Sequence, residues 1–130
     1  YYTFTMFDAQ AWYARDYVLG RIALPSKDEM EKDMAEWRAR EEALSNPIED
    51  IDFQTDYVKD LCRETDYADF DLDLAAENFK RWEHHKEEDI QTYRDRSHPS
   101  PCTGTVAPIH HTPWTKAMDD SMAAFLNADS

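Results

Sequence analysis

Glycine is almost missing from this chain: Gly20 and Gly104 are the only two in 130 residues. Neither common Gly-rich phosphate loop can be assembled from two isolated glycines. A nucleotide phosphate bound nearby would have to be cradled by other sequence. Cysteine is also scarce. Cys62 and Cys102 do not make a disulfide framework, and a reducing cytoplasm is the expected compartment. No apolar run approaches the ~18 residues of a membrane span, and mean hydropathy is −0.84. The opening Tyr1-Tyr2-Thr3-Phe4-Thr5 has neither an initiator Met nor a basic region, so no signal peptide is expected. Positive charge is short, with 14 Lys and Arg against 28 Asp and Glu, for a net charge of −14. Nucleic acid and anionic membranes both call for clustered cations, so neither is an expected partner.

What is present is aromatic. Four Trp, seven Tyr and six Phe are far too many for a disordered acidic tail, so the chain folds or docks. A chain of this length buries roughly two-thirds of its unfolded surface, enough for one core, as one domain or part of a larger one.

The pattern predicts a mainly α fold of about five helices joined by Pro-marked loops. Tyr1 to Thr5 alternates loosely, like the end of a strand. Thr5 then reads as the cap of a helix over about Met6–Leu19, with Asp8 in the acid position of a capping box and Gly20 just past the end. Ser26 and Glu29 form a second capping box, opening a helix that reaches about Leu44 and is stopped by Ser45-Asn46-Pro47. A third helix is expected over Phe53–Glu64, a loop over Thr65–Asp73, and a long helix over about Leu74–Arg94 with sparse apolar positions Phe79, Trp82 and Ile90. Cys102 to His111 reads as irregular or briefly extended. Thr112-Pro113 caps a last helix running to about Asn127.

The first helix is apolar around most of its circumference, with only Asp8, Gln10, Arg15 and Asp16 clearly polar. A helix like that belongs inside a sizeable protein. The middle helices are mostly charge. On this pattern the chain reads as truncated at its N-terminus, its first helix meant to be covered by something else.

No complete active site is visible in the residues themselves. His84 and Glu88 share a helix face beside His85, Glu87 and Asp89, but a metal needs three or four ligands at compatible distances, and a solvated charged face is the expectation. His98, Cys102, His110 and His111 match no zinc spacing and read as structural. Cys62 has no histidine at a spacing that would suggest a thiolate pair. No nucleophile elbow exists, and no metal or catalytic residue is assigned.

A set of ordered motifs does carry a resemblance. It begins with Met6-Phe7-Asp8-Ala9-Gln10-Ala11-Trp12-Tyr13-Ala14-Arg15-Asp16 and Leu24-Pro25-Ser26. Trp82-Glu83-His84-His85-Lys86, Thr92-Tyr93-Arg94-Asp95 and Thr103-Gly104-Thr105 follow, then His110-His111-Thr112-Pro113-Trp114 and Asp119-Asp120-Ser121. Together they resemble the C-terminal third of bacterial flavin-containing monooxygenases of the trimethylamine monooxygenase type, over nearly the whole chain. The resemblance implies residues 1–130 as the C-terminal helical region of a larger α/β flavoenzyme with two dinucleotide domains, whose FAD and NADP Gly-rich motifs lie upstream. It implies NADPH reduction of FAD, a flavin C4a-hydroperoxide, and oxygenation of a soft nucleophile such as a tertiary amine or sulfide. The isolated chain would then be inactive and bind neither cofactor tightly.

The resemblance also implies roles. Tyr1 falls at a substrate-side aromatic position, usually Trp. Thr3 falls where a backbone contact to FAD is expected, with Phe4 in the same flavin-facing segment. Where relatives carry an arginine associated with NADP, this chain has Pro99; Arg94 or Arg96 stands near enough to compensate, and Arg96 is taken as the cofactor-side candidate. The implied partner is the remainder of the monooxygenase or a second copy, as a homodimer with possible exchange of the first helix. The alternative is a free-standing acidic helical module that docks its aromatic first helix in a partner's groove. Such a module should hide Phe7, Trp12 and Tyr17 in its own fold; a piece of a larger enzyme should expose them.

Overall fold

The computed structural model describes residues 1–107. Four α-helices follow one another: α1 (Thr3–Val18), α2 (Lys27–Glu42), α3 (Pro47–Arg63) and α4 (Leu72–Glu88), then a 3-10 turn (Tyr93–Asp95). No strand occurs among the described residues, only an isolated antiparallel bridge between Pro99 and Val106. The mainly α class stands. The helix expected over Thr112–Asn127 lies outside the described residues.

Each helix boundary has a local cause. α1 begins at Thr3, three residues earlier than expected, so Thr3 to Thr5 are helical rather than extended. Its cap is Tyr2, which makes no side-chain capping bond, so Thr5 sits inside the helix. Asp8 is not part of a capping box; it accepts the Tyr67 hydroxyl at 2.8 Å. The C-terminus does follow the sequence. Gly20 has φ 69°, its N–H reaches Tyr17 O, and Arg21 N–H reaches Asp16 O at 2.8 Å. That is the paired-bond ending a glycine in the left-handed region permits. Asp16 then anchors the turn, accepting both Arg15 (2.8 Å) and Arg21 (3.0 Å) while almost fully buried.

α2 carries the expected Ser26–Glu29 capping box. α3 starts six residues before the expected Phe53. Pro47 was read only as a stop, but it also suits the first position of a helix, where its missing N–H costs nothing. Asn46 completes the start by accepting from the N–H groups of Ile48 and Glu49, both at 3.0 Å. α4 begins at Leu72 because Asp71 caps it through Leu74 N–H. It stops at Glu88 rather than near Arg94. The Asp89 side chain accepts from Gln91 N–H (3.0 Å), Thr92 N–H (3.3 Å) and the Thr92 hydroxyl (2.5 Å), a local bond set that outcompetes the helix. Ile90, expected on the apolar face, is exposed as a result.

The core lies where α1, α3 and α4 meet. Tyr2, Val58 and Ala75 are buried there, with Met6, Cys62, Phe70, Leu72 and Phe79 around them. Ile51 and Val58 have no exposed surface. α2 buries nothing. It is held to α3 by Trp37 set edge-on to Phe53 and Tyr57, with Arg40 lying over Trp37 and paired to Asp56. Beyond α4, residues 97–106 fold back as a small loop. Ser100 N–H bonds Thr105 O, Gly104 takes φ 69°, and Asp71 N–H bonds Pro101 O at 2.8 Å.

Truncating a side chain in this small core leaves a cavity that α3 has little freedom to fill. Ile51→Ala is expected to lower unfolding free energy by about 2–5 kcal/mol in urea titration. A loss under about 1 kcal/mol would show that the site collapses freely.

Candidate functional site

The residues singled out by the resemblance gather at the start of α1. The Tyr1 hydroxyl donates to Glu83 Oε1 on α4 at 2.7 Å. The Tyr1 and Tyr2 nitrogens both donate to Gln54 Oε1 on α3, at 3.0 and 3.2 Å. Both rings pack edge-on against Phe79, with centroids 5.4 and 4.9 Å away. Tyr2 also meets the Thr55 hydroxyl at 3.0 Å, in the interior. Two tyrosines in succession thus pin α1 to α3 and α4 at once.

That pinning leaves the next two residues free. Thr3 and Phe4 are exposed, Phe4 to 88%. No side chain caps α1 and no acid lies in its first turn, so its leading N–H groups keep their partial positive charge. The sequence placed the start of this helix just past Thr5; the structure puts it at Thr3.

The electrostatics around Tyr1 are set by Glu83. Burial alone would push this carboxyl up; the Tyr1 hydroxyl and the Lys86 ammonium, 3.0 Å away, more than reverse that and hold it below the ordinary range. The Tyr1 phenol moves the other way, pushed well above the usual value by burial and then by Glu83. Tyr1 therefore stays protonated as a donor. Glu83 and Lys86 entered the sequence reading only within a motif, with no role, and Gln54 not at all. A signal existed: Leu72, Ala75, Ala76, Phe79 and Glu83 share one helical stripe, and an acid on an apolar stripe marks a partnered carboxylate.

Arg96 is not part of this cluster. Its guanidinium donates to Glu88 Oε2 at 3.3 Å. Five residues separate Glu88 from Glu83, which places them about 7.5 Å apart along α4 and about 140° apart around it. Pro99, at the position where relatives were expected to carry arginine, pairs with Val106 and offers its carbonyl to the Asn78 amide at 2.7 Å. The hydroxyls of Thr103 and Thr105 bond each other at 2.7 Å on the exposed side of the same loop.

The remaining candidates have plain surroundings. His84 and Glu88 do share a face, 3.3 Å apart. Among the described residues no group of three or more His, Cys, Asp or Glu is placed to hold a metal ion. Cys62 is half-buried, and burial pushes its thiol up, away from the reactive thiolate. Among the described residues no helix is long and apolar enough to cross a membrane. An open cleft of about 920 Å³ runs between α1, α2 and α3, lined by Tyr13, Trp37, Phe53 and Tyr57 and rimmed by acids including Asp33 and Glu41. Tyr1, Thr3 and Phe4 do not line it.

On α1 itself, Phe4, Phe7, Ala11, Ala14 and Val18 are all exposed. Their spacing of three, four, three and four is that of a helix-packing seam. Phe7 is 63% and Tyr17 49% exposed, while Trp12 is half-buried under Arg15 and beside Tyr67.

No family model matches the chain. A trimethylamine monooxygenase of Pelagibacter sp. strain HTCC7211 is 57% identical over 127 residues, 98% of this chain and 29% of that protein. Those of Pelagibacter ubique and Methylocella silvestris are 54% identical over the same length. The crystal structure of Tmm from Pelagibacter sp. strain HTCC7211 superposes with a TM-score of 0.85 at 56% identity, covering 96% of this chain and 28% of that one. The resemblance to trimethylamine monooxygenases is thus real in both sequence and fold, and the chain spans under a third of the length of the relatives it matches.

The Tyr1–Glu83–Lys86 chain should be measurable in stability. Glu83→Gln removes the charge that holds Tyr1 and Lys86, and a loss of about 1–3 kcal/mol is expected at neutral pH. Because Glu83 is held below its ordinary pKa of 4.5, its contribution is complete above that value and fades as pH falls through the lowered one. The variant's acid-unfolding curve should therefore be flatter than that of the unmodified chain.

Proposed function

We propose that this chain is the C-terminal helical portion of an NADPH- and FAD-dependent monooxygenase that oxygenates the nitrogen or sulfur of small soft nucleophiles such as trimethylamine. When bound, FAD reduced by NADPH supplies the oxygen-activating chemistry, which belongs to the cofactor. In this reading the chain's own residues form a flavin-side wall and shield it from water. The observation that carries the proposal is the similarity to trimethylamine monooxygenases over 98% of the chain.

The fit to a flavin rests on the start of α1. An uncapped helix end with exposed Thr3 and Phe4 offers N–H donors and partial positive charge to an electron-rich ring. Thr3 is assigned the backbone contact and Phe4 the packing beside it. Tyr1, locked as a donor by Glu83, stands on the substrate side. Arg96, on a different side of α4, is assigned to NADP in place of the arginine that Pro99 displaces. It must then exchange Glu88 for phosphate. The fit is partial, because no Gly-rich cradle exists in this sequence and the phosphates must be held elsewhere.

The exposed α1 seam supports the same reading over a free-standing interaction module. A self-sufficient module would bury Phe7, Trp12 and Tyr17; here Phe7 and Tyr17 are open and Trp12 is half-buried. The seam is assigned to the rest of the monooxygenase, with a second copy of the chain as its substitute when the rest is missing. An acidic chain of net charge −14 favours the first, since two copies repel.

Two outcomes test this. Titrated with FAD under flavin fluorescence, the 130-residue chain is expected to show no stoichiometric binding and no NADPH oxidation with trimethylamine; tight one-to-one FAD binding would overturn the assignment. Separately, Phe4→Ser with Phe7→Ser should abolish any self-association in sedimentation while shifting stability by no more than about 0.5 kcal/mol per site, as for surface positions. A large loss of stability would mean that the seam is part of this chain's own core.

A further inference from the structure

The seam between α4 and the 97–106 loop holds three buried polar atoms with no hydrogen-bond partner among the described residues: Asn78 Oδ1, His85 Nδ1 and His98 Nε2. The His85 and His98 rings lie 5.7 Å apart, tilted by 33°. Few bonds fasten the loop to the helix. The Asn78 amide donates to Pro99 O at 2.7 Å, and Asp71 N–H donates to Pro101 O at 2.8 Å.

A neutral imidazole has one N–H and one lone pair; a protonated one has two N–H donors. His85 Nδ1 and His98 Nε2 are tolerable here as lone pairs. Either one protonated would become a buried, charged, unpartnered donor, which costs far more. Among the described residues the surroundings offer no relief. On α4, Arg81 adds positive charge beside His98, and the His84 ring lies 6.1 Å from that of His85, tilted by 40°. Glu88 has both oxygens engaged, by His84 and Arg96. Glu83 is held by Tyr1 and Lys86, Asp89 by Thr92, and Asp71 and Asp73 by Leu74 N–H and Lys59.

We propose that the 97–106 loop is a proton-operated latch: neutral His98 lets it close on α4 beside His85, and protonation of His98 in mild acid releases it. The loop is the part that moves, because α4 is fixed by buried Ala75, Ala76 and Glu83. The direction of titration agrees. Burial first, then His85 and Arg81, hold His98 below the ordinary histidine value of 6.5. Closure is therefore complete above that value and is lost as pH falls from it toward the lowered one. Within that window the open fraction grows by up to about tenfold per pH unit. The inference stands on this chain's own residues and holds whether or not the chain serves a flavoenzyme.

Hydrogen exchange of the 130-residue chain from about pH 7.5 to about pH 5.5 tests it across the histidine range, after correction for intrinsic exchange rates. The amides of Ser100, Gly104 and Asp71 are expected to lose protection up to about tenfold per pH unit, while α3 amides hold theirs. His98→Gln, which cannot take the charge, should flatten that dependence. Unchanged loop protection, an equal loss in His98→Gln, or α3 amides falling in step would each overturn the latch. Should His98→Gln not fold, imidazole NMR of the unsubstituted chain decides. A depressed His98 titration that shifts the Ser100 and Gly104 amides supports the latch; an ordinary titration leaving them still overturns it.

Discussion

The wedging of Tyr2 between α3 and α4 is the contact on which the rest of the arrangement depends. Its ring is 3% exposed, packed edge-on to Phe79 and bonded through its hydroxyl to Thr55. Because it is also the residue just before α1, this one side chain sets where the helix begins and which way it points. Tyr1 is carried to Glu83 by the same placement. Thr3 and Phe4 are turned outward as a consequence, and the uncapped helix end goes with them. A polar cap such as Ser or Asp at position 2 would have quenched that end and lost the anchor.

Charge works against compactness throughout. With twice as many acids as bases, the chain repels itself, and its buried acids are each neutralised locally. Asp16 takes two arginines and Glu83 takes a tyrosine and a lysine. α2 shows the other solution. It buries nothing and stands on an aromatic and cation–π contact with α3. A mostly charged helix held by so little gains stability from its capping box and its i,i+4 pairs beside that one aromatic contact.

Legibility in the sequence followed the range of the forces involved. Gly20 and the Ser26–Glu29 box act within a few residues, and both were readable. Pro47 was ambiguous because proline ends one helix and begins another by the same property, its missing N–H. Asp89 was misread because a side chain that bonds the two following residues leaves no trace in hydrophobic periodicity. Thr5 lost the cap position to Tyr2 for a reason absent from local sequence, since the tyrosine's reward lies on α3 and α4. The ordered motifs pointed to a monooxygenase relationship well before any geometry, and the similarity in sequence and fold agrees with them.

By itself the sequence determined the mainly α class, the caps of α2, the glycine ending of α1, and an excess of apolar surface on that first helix. These depend on backbone conformation and on the 3.6-residue period, which neighbouring residues already specify. Only the tertiary structure decided that Glu83 is the partner of Tyr1, that Arg96 stands on a different side of α4, and that His85 meets His98 across the loop seam. Each joins residues far apart in the chain or on different sides of one helix. The free energy that selects them comes from burial and desolvation, quantities that exist only once the helices have packed.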